Sequence, residues 1–124
     1  MSQKLNDFIL GYIECALWAT MDESDESGGN PLDKNYGITD LSEDCLQQIT
    51  QDCQSFREAN VEDIAESELA DSSAGHDFFL TRNGHGAGFW DRGLGEVGVR
   101  LTAACKPYGS MDLYLGDDNK IHCM

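Results

Sequence analysis

The sequence predicts an α+β fold: two to three N-terminal helices packed on a small antiparallel sheet, the sheet being two hairpins that flank one helix. Three observations carry that expectation. Apolar residues in the first seventy positions recur at helical spacing. The block from Gly75 to Gly93 has Asn83-Gly84 at its middle, the strongest short-range hairpin signal. Residues 111–115 alternate, with Met111, Leu113 and Leu115 on one side and Asp112 and Tyr114 on the other. The 124 residues suit a single domain. It divides into an acidic helical part, 1–71, and a β-β-α-β-β part, 72–124.

The first helix is expected over residues 3–20. Leu5, Phe8, Ile9, Tyr12, Ile13, Ala16 and Leu17 form its apolar stripe, and Ser2 is the expected N-cap. Gly11 inside it costs about 1 kcal/mol against alanine, so it is read as the mark of a close helix contact. Trp18 is expected to anchor the loop that follows. Residues 21–37 read as that loop, with the acidic run Asp22, Glu23, Asp25, Glu26 and the breaker Gly28-Gly29-Asn30-Pro31. Neither the register starting at Asp22 nor that starting at Asp33 satisfies a calcium loop.

A second helix is expected over 43–59, capped by Ser42, with Glu43 and Asp44 in its first turn and Cys45, Leu46, Ile49, Cys53 and Phe56 buried. A short third helix follows over 61–69. Counting outward from Asn83-Gly84 gives a hairpin whose core face carries Phe78, Leu80, Ala87 and Phe89. The opposite face carries Asp77, Phe79, Thr81, Gly86, Gly88 and Trp90. Gly86 and Gly88 there suit close approach by a ligand or backbone, though Phe79 lying across Gly88 is the plainer and preferred alternative. Gly93-Leu94-Gly95 opens a helix through Val97, Leu101, Ala104 and Cys105, stopped near Pro107. Residues 111–115 and 120–123 close the chain as a second hairpin.

Charge separates the two parts. The chain carries a net −15; residues 1–71 hold 17 acids and 3 bases, a net of −14, which leaves −1 for the rest. Such a surface disfavours direct binding to nucleic acid and attracts a basic partner; a solvated, solubilising surface is the commoner cause of this composition. No stretch reaches the roughly 20 apolar residues of a membrane span, and the start lacks the pattern of a secretory signal. Cys15, Cys45, Cys53, Cys105 and Cys123 lack C-x-x-C spacing and read as free thiols of a reducing compartment, giving little support to a zinc site.

Chemistry in the central block would rest on His76, Asp77, His85, Asp91 and Arg92, with Ser73, Thr81 or a cysteine as nucleophile. The hairpin register puts His76 opposite Asp91, as a general base requires. No nucleophile signature accompanies the pair, and a structural tie is the favoured alternative. His76 and His85 lie about 20 Å apart on such a hairpin, too far to share a metal; His76 with His122 stays open. Gly84, Gly86 and Gly88 lack the Lys-Ser/Thr of a phosphate loop. No cofactor, metal site or catalytic residue is therefore assigned.

The segments P-L-D-K-N-Y (31–36), D-L-S-E-D-C-L (40–46), A-G-H-D-F-F-L-T-R-N-G-H-G-A-G-F-W-D-R-G-L-G (74–95) and L-Y-L-G-D-D (113–118) resemble a family of small proteins encoded by tailed bacteriophages. The resemblance spans most of the chain. It implies a phage origin and a host-cytoplasmic location, and it carries over no catalytic residues. By analogy of origin and charge, the expected function is a small acidic accessory protein that binds and inhibits or modulates a host protein with a basic surface, as DNA-mimicking anti-CRISPR and anti-restriction proteins do. A small hydrolase-like or metal-binding enzyme using His76 and Asp91 is the alternative. The expected acidic contact surface is Asp22, Glu23, Asp25, Glu26, Glu43, Asp44, Glu62, Asp63 and Glu66. The expected hairpin contact face is Phe79, Arg82, His85, Gly86, Gly88 and Trp90.

Overall fold

The computed structural model describes residues 6–22, 30–32, 36–84, 88–89, 93–116, 118 and 120–123. Five helices are described: α1 (Asp7–Ala19), α2 (Glu43–Ala59), α3 (Val61–Ser67), α4 (Asp71–Arg82) and α5 (Glu96–Cys105). Two short antiparallel strand pairs accompany them: β1 (Met21–Asp22) with β2 (Asn30–Pro31), and β3 (Leu113–Leu115) with β4 (Ile121–Cys123). The fold is α+β, with helices supplying most of it. The two strand pairs are separate, where a sheet of up to four strands was expected. β1 and β2 arise within a stretch read as loop.

The central block is the main correction. Residues 71–82 form a helix, and no hairpin is built on Asn83-Gly84. Gly84 does take the positive φ that the dipeptide promised, at +72°. Asn83, however, has φ −98° and ψ 2°, so the pair ends a helix and does not turn a hairpin. Gly84 N–H donates to Thr81 O at 3.2 Å, and the Asn83 side-chain amide donates to Phe79 O at 2.9 Å, satisfying carbonyls that a helix end leaves open. Packing decides between the readings. Phe78 and Phe79 are both buried, 0% and 2% exposed. A strand would send these neighbours to opposite faces, whereas a helix gathers Gly75, Phe78, Phe79 and Arg82 on one side.

The other elements lie close to expectation. In α2, Ser42 Oγ accepts from Cys45 N–H, and Cys45, Ile49, Cys53 and Phe56 are buried; Leu46 is only half-buried, and Thr50 takes a buried place. α1 begins at Asp7, with Asn6 Oδ1 accepting from Ile9 N–H as its cap. The expected cap Ser2 lies outside the described residues. Trp18 is 58% exposed.

α1 and α4 form the tightest helix pair. A Cβ on Gly11 would overlap the backbone carbonyl of Ser72, and one on Gly75 would overlap the carbonyl oxygen of Phe8. Glycine is what permits the approach. Around this crossing the aromatic core gathers. Phe56 of α2 stacks on Phe78 at 4.2 Å between centroids, Tyr12 meets Phe79 edge-on at 5.4 Å, and Phe89 lies 6.0 Å from Phe56. The closing strands dock on the start of α2: Ser42 N–H donates to Ile121 O at 2.8 Å, and Leu41 bridges Ile121 in parallel.

Candidate functional site

The interior is organised on Arg82, at the C-terminal end of α4. Its side chain is 3% exposed. Nε donates to Gly109 O at 2.9 Å and Nη2 to Tyr108 O at 3.0 Å. Nη1 donates to Asp52 Oδ2 at 2.9 Å and to the Tyr12 hydroxyl at 3.1 Å. The guanidinium also faces the Phe78 ring, 5.3 Å from its centroid. Planar, multidentate donation of this kind is specific to arginine. One side chain thus ties α1, α2 and α4 to the 3₁₀ turn Lys106–Tyr108. Arg82 was expected on an exposed contact face, and so was Phe79; both are buried instead, because residues 71–82 are helical.

A cleft of about 450 Å³ opens beside this node, lined by Gln48, Asp52, Arg82, Pro107, Tyr108, Ser110, Met111 and Cys123. Arg82 spends its donors on internal partners, so its geometry is that of a tether. A second cleft, about 330 Å³, is lined by Ser42, Asp44, Cys45, Tyr114 and His122, and shares Gln48 and Cys123 with the first. His122 Nε2 is 3.1 Å from Asp118 Oδ1, and its ring stacks on Tyr114. The hydrogen bond from His122 holds the Asp118 carboxyl below its usual range, helped by the Lys120 backbone.

The acidic surface is partly as expected. Glu43 and Asp44 are exposed at the start of α2, and Glu62 is exposed on α3. Asp63 and Glu66 are both engaged by Arg100 of α5, at 3.0 and 2.8 Å. Asp22 sits in β1, and Glu23, Asp25 and Glu26 lie outside the described residues. Glu58, exposed on α2, was not singled out from sequence, and Glu68 is exposed at the C-cap of α3. Arg57 pairs with Asp71 at 3.1 Å, and Arg82 with Asp52. Among the described residues, no cation is within ion-pair distance of Glu43, Asp44, Glu58, Glu62 or Glu68.

The proposed catalytic pair loses its geometric basis. His76 is half-buried on α4, and the strand register that set it opposite Asp91 does not exist. Asp77 is fully buried on the same helix. His85, Gly86, Ala87, Trp90, Asp91 and Arg92 lie outside the described residues; Gly88 is buried. Among the described residues, no three or more His, Cys, Asp or Glu side chains converge as metal ligands.

Sequence reasoning missed the Arg82 node because its members are 30 and 70 positions apart. A basic residue inside an otherwise apolar helical face, Gly75-Phe78-Phe79-Arg82, was the available signal. No helix among the described residues is long and apolar enough to cross a membrane. No family model, curated protein sequence or solved structure matches the chain.

Proposed function

We propose that this chain is a non-enzymatic phage accessory protein that binds a basic, nucleic-acid-handling protein of the host through the outer face of α2 and α3. The carrying observation is the pairing of charges. Residues 43–68 hold eight acids and one base, and the arginines in contact with that face, Arg57, Arg82 and Arg100, are already committed to Asp71, Asp52 and Asp63/Glu66. Glu43, Asp44, Glu58 and Glu62 remain as exposed carboxylates carried on helices, with Glu68 exposed at the C-cap of α3. Helices hold such charges in a fixed array, which a basic groove can match. The Arg82 node and the α1–α4 crossing then serve as scaffold.

The test is affinity capture from extract of the host bacterium, with the parent chain and a Glu43→Gln/Asp44→Asn/Glu58→Gln/Glu62→Gln variant as baits. The expected result is a basic protein retained by the parent, lost from the variant and displaced by duplex DNA. Retention of the same protein by both baits, undisturbed by DNA, contradicts the proposal.

A further inference from the structure

All five cysteines are free; four are buried and Cys123 is half-exposed. Cys123 is not alone. The Ser42–Ile121 hydrogen bond and the Leu41–Ile121 bridge lay β4 along the start of α2. Two residues further on β4, the Cys123 thiol donates toward the carbonyl of Cys45 at 4.0 Å. Its sulfur therefore sits beside the backbone of the residue that carries the second thiol. Both clefts described above reach Cys123, which gives small molecules access to it. Cys45 lies behind it, 1% exposed.

We infer that Cys123 and Cys45 form a peroxide-reactive dithiol, with Cys123 the attacking thiol and Cys45 the resolving one. The contact with Cys45 lowers the Cys123 thiol from its ordinary range, with burial and the Asp52 charge opposing and Arg82 and His122 assisting. The same contact, and burial, hold Cys45 protonated. The Cys123 thiolate attacks one oxygen of a hydroperoxide. The O–O bond breaks, a sulfenic acid forms on Cys123, and the other oxygen leaves as hydroxide or alkoxide and takes up a proton. The Cys45 sulfur then attacks the Cys123 sulfur. The S–O bond breaks, the S–S bond forms, and water leaves carrying the Cys45 proton. Two sulfurs are oxidised by one electron each, and one peroxide is reduced. The product ties the end of β4 covalently to the first turn of α2, and a dithiol reductant reverses it.

The experiment is peptide mapping of the full chain after stoichiometric hydrogen peroxide, with dimedone present or absent. The parent chain should lose about 2 Da, two hydrogens, and yield one cross-linked Cys45–Cys123 peptide pair. Before oxidation, iodoacetamide should label Cys123 at least about tenfold faster than the other four cysteines. A Cys45→Ala variant should form no cross-link and should carry dimedone on Cys123. A parent chain oxidised first at Cys15, Cys53 or Cys105 overturns the inference. So does a parent chain in which Cys123 advances to sulfinic acid while Cys45 stays a free thiol. Both readings come from the unmutated protein and do not depend on a variant's folding.

Discussion

Gly75 of α4 lies against the carbonyl oxygen of Phe8 in α1, with no room between them for a side-chain carbon. A Gly→Ala change inside a helix normally gains about 1 kcal/mol. Here the added carbon meets backbone, which cannot rotate away, and overpacking of that kind costs about 1–3 kcal/mol or more. Gly75→Ala, and Gly11→Ala against Ser72, should therefore lower the urea midpoint. A stabilised variant would show that the two helices do not approach so closely.

Phe79 separates the helix from the hairpin more sharply than any turn residue. Buried against the Tyr12 ring, its truncation to alanine should cost about 3–5 kcal/mol. On a solvent-facing strand the same change would cost little. Chemical denaturation of Phe79→Ala reads this directly, and a loss below about 1 kcal/mol speaks for the strand.

Those two positions show what was legible in the sequence. α2, α5 and the β3–β4 hairpin were readable because their apolar residues keep one period and their ends carry ordinary caps, such as Ser42. α4 was not. Its buried face includes Gly75, Asp77 and Arg82, so the apolar period is broken by the residues that make the helix work. Asn83-Gly84 then offered a turn signal that serves a helix end equally well, since both need a positive φ at the glycine. For the candidate site, Glu43, Asp44 and Glu62 were readable as exposed acids. The cancellation of Asp63 and Glu66 by Arg100 was not, because it joins α3 to α5 across 37 and 34 positions.

Arg82→Met should be among the most damaging substitutions. It strips donors from two backbone carbonyls and the Tyr12 hydroxyl, and it leaves Asp52 without its cation. The expected cost is about 3 kcal/mol, tempered because Asp52 keeps some contact with water. Arg82→Lys should not rescue it, since one ammonium cannot span the same acceptors. Asp52→Asn retains an acceptor oxygen but leaves the buried guanidinium without its counter-charge, and should cost about 2 kcal/mol. Equal stability of all three variants in denaturant would remove the node's structural role.

Alkaline pH should unfold the chain through its buried acids. Burial pushes the thiols of Cys15 and Cys105 from 9.0 up to about 12, and pushes the Tyr12 hydroxyl up further still against the opposing Arg82 charge. Each group keeps its proton in the folded chain where the unfolded chain has lost it. The unfolded state therefore binds fewer protons above its own pKa, and stability falls as pH rises. The loss should begin near pH 9 with the thiols and steepen above pH 10 with Tyr12, at up to about 1.4 kcal/mol per group for each pH unit. Melting temperatures recorded from pH 7 to 11 check this, and a flat profile through pH 11 would contradict it.

The role of the α2–α3 carboxylates is tested most directly by the association rate with the captured host protein, measured against ionic strength by stopped-flow or surface binding. Charge-steered encounter is screened within about 8 Å at physiological salt. The rate should fall at least about tenfold between 50 and 500 mM salt, and Glu43→Gln/Asp44→Asn/Glu58→Gln/Glu62→Gln should bring the low-salt rate close to the high-salt one. A rate independent of salt, and equal for the parent and the variant, would show that this acidic face does not make the complex.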